Sequence, residues 1–221
     1  MSPEAIFWDM DGTLVDTEPL WGIATYELSE RLGRRLTPQL REKTIGGSFA
    51  NTLSVAAGHA GVDLGEGDYA RHKRWMYARM AELLAGNLEP NPGVRGLLTS
   101  LKDTGIPMLV TTNTERELAD ACIDAVGREF FVDSITGDEV DNPKPAPDMY
   151  LEAARRVGHE PADCLVFEDS WAGMSAAAAA GCRVLGLADE VPAGVTAFDP
   201  ADFVGATAPD VLQLYADLAN A

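Results

Sequence analysis

The sequence predicts an α/β fold, a parallel sheet flanked by helices and interrupted once by a helical insertion. Five short apolar runs read as buried strands: Glu4–Trp8, Ile106–Thr111, Phe130–Ile135, Cys164–Phe167 and Arg183–Leu187. From the second run onward, each is separated from the next by a stretch that can hold a helix, the alternation of a parallel sheet with helices on its faces. The interval between the first two runs, residues 9–105, far exceeds the about 10 to 12 residues that a crossover needs, so it carries an insertion.

The first run is apolar and aromatic and stops at Asp9. The insertion is placed at residues 16–88, between segments 1–15 and 89–221 of the sheet domain. Asp16, Thr17 and Pro19 start it as a capping oxygen followed by proline in a first helical turn would. Within it the pattern predicts helices at Pro19–Leu32, Ser48–Ala57 and Asp68–Ala85, and Asn91-Pro92-Gly93 punctuates the return. Helices follow at Val94–Lys102, Glu115–Val126, Asp148–Val157 and Trp171–Ala180. The last is mostly alanine, the best helix former, and meets Gly181 as a helix meets its C-terminal cap.

Composition narrows the function. Seventeen basic against 35 acidic residues leave a net charge of −18 on 221 residues, with 46% hydrophobic, which is the composition of a folded globule and not of a disordered tail. So acidic a surface repels phosphate backbones and anionic lipid, so neither nucleic acid nor membrane is expected as a partner. The longest apolar run, Ser175–Ala188, is broken by Arg183 and is too short to span a bilayer. Met1–Trp8 lacks the basic and apolar regions of a secretory signal, and Cys122, Cys164 and Cys182 are an odd number without metal-ligand spacing, so a cytoplasmic chain with reduced thiols is expected.

Ligands of open parallel sheets sit beyond the carboxyl ends of the strands. Asp9 and Asp11 follow the first strand, Thr112 and Asn113 the second, Glu168 and Asp169 the fourth, so all meet at one rim. Four crowded carboxylates repel and raise one another's pKa; a hard divalent cation relieves this, and an oxygen-only ligand set selects magnesium. In Asp9-Met10-Asp11-Gly12-Thr13, alternation sends both aspartates to one side and Gly12 permits a sharp exit, so one carboxylate can serve as nucleophile and the other as acid and base. Lys144 lies among Pro143, Pro145 and Pro147, a stiff loop suited to holding a fixed point charge. Taken singly, Lys144 reads as a solvated lysine, and Thr112 or Glu168-Asp169-Ser170 as helix caps; their joint place on one rim favours a site.

These segments resemble, in order and spacing, the four motifs of the haloacid dehalogenase-like hydrolases: Asp9–Glu18, then Thr112-Asn113, then Lys144-Pro145-Ala146-Pro147-Asp148, then Val166–Ser170 with Gly173 and Ala180-Gly181. The resemblance spans the whole chain and implies a Rossmann-like core, with the insertion as the α-helical cap of the phosphatase and β-phosphoglucomutase branch. It implies that Asp9 attacks phosphorus to form an aspartyl phosphate. Asp11 would protonate the leaving alcohol and then deprotonate water, while Thr112, the Asn113 backbone and Lys144 hold the phosphoryl oxygens. It also implies that Mg2+ is bound by Asp9, the Asp11 main-chain carbonyl and Asp169, with Glu168 a direct or water-mediated ligand. Dehalogenating members lack an acid at the position of Asp11, so its presence argues against dehalogenation.

In the cap, Tyr69, Met76, Met80 and Leu83 are expected to share a face that includes Lys73, an inward lysine for an anionic group of the substrate. Arg71 and Arg74 point away. Gly46 and Gly47 read either as a cap loop that reaches the substrate or as an ordinary turn. Where β-phosphoglucomutase carries a histidine after the first motif this chain has Trp21, and where it carries a cap arginine this chain has Phe49. Those departures favour hydrolysis. The expected function is a magnesium-dependent phosphatase of a small phosphorylated metabolite such as a sugar or polyol phosphate, working as a monomer or weak dimer. A β-phosphoglucomutase-like mutase is the alternative, and a non-catalytic phosphate-binding regulator a third.

Overall fold

The computed structural model describes residues 2–45, 48–85 and 88–218. The chain divides into two compact units, Met1–Asp16 with Glu89–Ala221, and Thr17–Leu88. The first contains one parallel sheet of β1 (Ala5–Trp8), β2 (Met108–Thr111), β3 (Asp133–Ile135), β4 (Cys164–Glu168), β5 (Arg183–Gly186) and β6 (Thr196–Ala197), in the spatial order β3-β2-β1-β4-β5-β6. The second holds α1 (Glu18–Arg31), α2 (Pro38–Glu42), α3 (Phe49–Ala60) and α4 (Asp68–Leu84). The first holds α5 (Val94–Lys102), α6 (Arg116–Val126), α7 (Asp148–Val157), α8 (Trp171–Ala180) and α9 (Ala208–Leu218).

β1 is central, and the strand order reverses on either side of it, which places the ligand crevice at its carboxyl end. Register levels the strand ends: Trp8 lies beside Val110 of β2 and Phe167 of β4, so the next residues, Asp9, Thr111 and Glu168, reach the rim together. Alternation along the strands divides the core. Phe7, Leu109, Val166 and Val184 face Met149 and Ala153 of α7 and Met174 and Ala177 of α8. On the opposite face Trp8 stacks on Phe167 at 4.3 Å, and Phe203 packs against both rings.

Several elements depart from expectation. β3 begins at Asp133, because a 3-10 turn occupies Arg128–Phe130 after Gly127 and pairing starts only where the Val132 N–H donates to the Met108 carbonyl at 2.9 Å. α3 runs on through Gly58 to Ala60 and stops at Gly61, whose φ of 69° makes it the cap. α2, β6 and α9 were not expected. α2 is a single short turn whose start, Thr37-Pro38, does carry a signal, since the Thr37 side chain accepts from the Leu40 N–H.

In the helical unit Ala24 and Leu28 of α1, Leu53 and Ala56 of α3, and Met76 and Met80 of α4 are buried. Arg79 makes a forked pair with Glu27 at 2.7 and 2.9 Å across α1 and α4. The buried face of α4 is His72, Met76, Tyr77, Met80 and Leu84, which corrects the expected stripe: Met76 and Met80 are inside, but Tyr69 is 48% exposed and Leu83 only half-buried. The four-residue row 72, 76, 80, 84 forms the ridge, and a seven-residue step from Tyr69 drifts off it. Lys73 stands at the edge of that ridge with its Nζ 5.1 Å from the Tyr77 ring, and Tyr77 and Tyr69 meet Phe49 edge-on at 6.4 and 5.2 Å. Arg71 and Arg74 are exposed, as expected.

Leu28 is fully buried, so Leu28→Ala is expected to destabilise the protein by about 2–5 kcal/mol, the cost of a large-to-small change that leaves a cavity. Urea unfolding followed by circular dichroism measures it; a loss under about 1 kcal/mol would show that the site collapses around the smaller side chain.

Candidate active site

The chemistry-bearing residues of the sheet unit converge at the carboxyl ends of β1, β2 and β4. Lys144, drawn from the proline-rich loop before α7, is buried, and its Nζ donates to Asp9 Oδ1 at 2.6 Å, to Glu168 Oε1, and to the Thr111 carbonyl at 3.0 Å. Three protons meet three acceptors, so the ammonium is fully used. The reading of Lys144 as a solvated lysine is thereby excluded.

Backbone interactions hold this lysine in place. The Asn113 side chain receives the Lys144 N–H on Oδ1 at 3.0 Å and donates through Nδ2 to the Lys144 carbonyl at 3.0 Å, a two-point clamp between the loop after β2 and the proline loop. Asn113 was expected to act through its backbone; its side chain has this further task. Asn91 does the same for the loop after β1, its Nδ2 donating to the Gly12 and Thr13 carbonyls at 3.1 and 2.9 Å. Gly12 has a φ of 90°, and a Cβ there would lie 2.0 Å from Asp169 Oδ2, so both the turn and the approach of Asp169 require glycine.

The two aspartates of the first motif have different partners. Asp9 meets Lys144, whereas Asp11 Oδ2 accepts from Thr112 Oγ1 at 3.2 Å and Thr114 Oγ1 at 2.7 Å. Thr112, expected at the phosphoryl group, thus has its hydroxyl on Asp11 in this structure. Glu168 is fully buried and held on both oxygens: Oε1 by Lys144 and by the Tyr150 hydroxyl at 3.0 Å, Oε2 by the Ser170 N–H at 3.0 Å and hydroxyl at 2.9 Å. Ser170 also caps α8 by accepting from the Gly173 N–H at 3.0 Å. Gly173 is small for a reason, since a Cβ there would fall 1.6 Å from Glu168 Oε1.

Sequence reasoning missed Tyr150, Thr114 and Asn91 as parts of this arrangement. Tyr150 looks like any core aromatic at helical spacing, Thr114 carries no signal, and Asn91 showed only as loop punctuation. Of the expected substrate contacts, Lys73 belongs to the helical unit, and Gly46 and Gly47 lie outside the described residues.

Asp9, Glu168 and Asp169 each bring a carboxylate oxygen within 4.8 Å of the others. With one lysine among three acids the group carries surplus negative charge, and its acids respond accordingly. Burial, then Glu168, push the Asp9 carboxyl well above the ordinary range despite Lys144, and burial, then Glu168, raise Asp169 to about 6. Burial opposes the Lys144 charge, but Asp9 and Glu168 outweigh it and hold the ammonium well above its usual value. A proton or a cation can neutralise the surplus. The donors are oxygen alone, and among the described residues no histidine or cysteine joins them, which fits a hard divalent ion such as magnesium.

A sequence profile described as haloacid dehalogenase-like hydrolase matches residues 3–181. The chain belongs to the haloacid dehalogenase-like hydrolase family. It is 34% identical over 190 residues to a "Probable pseudouridine-5'-phosphatase" of Drosophila melanogaster, covering 82% of this chain and 80% of the relative. It is also 34% identical over 179 residues to the fructose-1-phosphate phosphatase of Escherichia coli strain K12, covering 80% and 92%. A crystal structure of β-phosphoglucomutase from Clostridium difficile superposes with a TM-score of 0.84 over 99% of this chain and 100% of that one at 19% identity, a likeness of fold. The chain is thus an enzyme, a phosphoric monoester hydrolase with an α/β core and an inserted helical unit.

Lys144→Met is expected to cost about 3–5 kcal/mol near pH 8, because it leaves Asp9 and Glu168 buried without their counterion. Without the lysine the Asp9 carboxyl rises further above the about 4 of an unfolded chain, so the folded variant binds more protons and its stability falls as pH rises through that range. Urea unfolding of both proteins at pH 5 and pH 8 should show the smaller deficit at pH 5; equal deficits would mean that Lys144 is not the counterion.

Proposed function

We propose that the protein is a magnesium-dependent phosphatase of a small phosphorylated metabolite, a sugar or polyol phosphate, working through an aspartyl-phosphate intermediate. The observation that carries this reading is the contact of Lys144 Nζ with Asp9 Oδ1 at 2.6 Å beside Asp169. Phosphoryl transfer asks for positioning and charge neutralisation around one nucleophile, and those groups supply both. Asp9 attacks phosphorus in line, and the ester oxygen leaves with a proton from Asp11; Asp11 then takes a proton from the water that attacks the aspartyl phosphate, releasing inorganic phosphate. Lys144, the Thr112 hydroxyl and the Asn113 N–H receive the phosphoryl oxygens. For Thr112 this means exchanging its contact with Asp11 for the substrate. Asp9 and Asp169, with the Asp11 main-chain carbonyl and Glu168 alongside, would hold Mg2+, which supplies positive charge to the transferring group.

The substrate class draws support from the fructose-1-phosphate phosphatase relative, and Lys73, with Gly46 and Gly47, is proposed to contact the leaving group from the cap. The likeness to β-phosphoglucomutase is one of fold, and the sequence resemblance sets Trp21 and Phe49 at the positions where it implies a histidine and an arginine in the mutase. Phe49 here packs between Tyr69 and Tyr77. Among the described residues no helix is long and apolar enough to cross a membrane. The three cysteines are buried free thiols, which supports a place in the cytoplasm.

Release of phosphate from a panel of phosphorylated metabolites, with magnesium and with excess chelator, tests the reading. Turnover is expected with the ion only, and Asp9→Asn is expected to reduce it by at least about a thousandfold; undiminished turnover in that variant would remove Asp9 from the reaction. Interconversion of glucose phosphates given a bisphosphate activator would instead establish the mutase.

The Asp169 carboxyl at about 6 sets a pH dependence. An unfolded aspartate sheds its proton near about 3.9, so the metal-free folded protein holds a proton the unfolded chain has lost, and its stability falls as pH rises from about 4 to about 6. Magnesium displaces that proton, so stabilisation by the ion should grow across the same window. Melting temperatures with and without magnesium at pH 5 and 7.5 check this; an equal magnesium increment at both would contradict it.

A further inference from the structure

We propose that Tyr150 is a positioning residue for the reaction, holding Lys144 in place through Glu168. The inference rests on the phosphatase reading and extends it to a residue of the sheet-facing side of α7. Tyr150 is fully buried among Phe7, Met149 and the alanines of α7 and α8, a setting in which phenylalanine would pack as well. Burying a hydroxyl is costly unless it is hydrogen-bonded, and among the described residues this one donates to Glu168 Oε1 at 3.0 Å. The same oxygen takes a proton of Lys144, and the Tyr150 ring lies 5.3 Å from Lys144 Nζ.

Each of the three ammonium protons of Lys144 has one acceptor, so where Nζ sits is decided by where those acceptors sit. The Thr111 carbonyl is fixed by the sheet. Glu168 is a side chain, and it is fixed by Ser170 on Oε2 and by Tyr150 on Oε1. Without the phenol, Oε1 keeps the ammonium as its one donor; the lysine is drawn toward Glu168 and away from Asp9, the side on which the transferring oxygens bind. The loss falls on the transition state, where charge on those oxygens is best met by a correctly placed ammonium, more than on substrate binding.

Tyr150→Phe removes the hydroxyl and keeps the ring. Relative to the unaltered protein, kcat should fall about tenfold, as for one hydrogen bond to a charged group, with KM changed by less than about twofold. Inhibition by orthovanadate, which mimics the five-coordinate phosphorus, should weaken by about the same factor, while inhibition by inorganic phosphate should barely change. Ser170→Ala, which loosens the other oxygen of Glu168, is the second variant and should give the same split; it carries the test alone should Tyr150→Phe not fold. A folded Tyr150→Phe enzyme with unaltered kcat, or one in which phosphate and vanadate weaken equally, overturns the proposal. So does a Ser170→Ala enzyme without the split. Failure of the unaltered protein to release phosphate from any substrate overturns the phosphatase reading itself, a different result from a normal enzyme indifferent to Tyr150.

Discussion

The contact of one buried ammonium, that of Lys144, with the carboxylates of Asp9 and Glu168 is the constraint around which the sheet unit is arranged. None of the three would tolerate its surroundings alone, since an unpaired charge in an apolar interior is far more costly than any single hydrogen bond. Each comes from a different part of the chain: Asp9 ends β1, Glu168 ends β4, and Lys144 lies in the loop before α7. The pair can therefore form only when β1 and β4 are in register and the proline loop lies against the end of β2. Local geometry serves that requirement. Asn113 clamps the lysine's backbone on both sides, and Gly173 keeps α8 close enough for Ser170 to hold Glu168 without a clash.

The strand ends were legible in the sequence because buried parallel strands are short apolar runs, and polar residues directly after them have no place but the rim. α5, α7 and α8 match their expected bounds since each is amphipathic or alanine-rich and is closed by clear start and stop residues. What escaped notice depended on partners distant in the chain. Tyr150 is the third residue of α7 and occupies a core position by period; only the coordinates reveal that its hydroxyl has Glu168 to meet. Thr114 directly follows a recognised motif, and its contact with Asp11 depends on how the loop after β2 curls back, which residue type does not fix. α2, with five residues, and β6, with two, are too brief for periodicity to register. α9 follows a stretch of glycine, alanine and proline that reads as loop.

In the helical unit the error was one of phase. A stripe counted in steps of seven, four and three places Tyr69 inside, while the buried residues of α4 follow steps of four from His72. Lys73 stays at the edge of the ridge with its charge over the Tyr77 ring, so its apolar stem is covered and its ammonium is not buried among methionines. Burial therefore imposes less cost on Lys73 than the expected inward position would. The remaining case for Lys73 is electrostatic: a cation on an aromatic face in a chain of net charge −18.

Charge balance also orders the proposed reaction. Asp9, Glu168 and Asp169 against Lys144 leave two negative charges in excess when all are ionised, and a phosphate monoester brings further negative charge to the same rim. Lys144 has no proton left to offer while it serves Asp9, Glu168 and Thr111, so a phosphoryl oxygen must displace one of those contacts. The Asp9 contact is the one that can yield, because Glu168 is fixed by Tyr150 and Ser170 and Thr111 by the sheet. A divalent ion on Asp9 and Asp169 would compensate Asp9 for that loss and let both carboxylates stay ionised. The ion and the ester would then be cooperative by electrostatics alone: each would make the rim fit for the other, and an ester arriving at the metal-free group would meet carboxylates whose surplus charge only protons could remove.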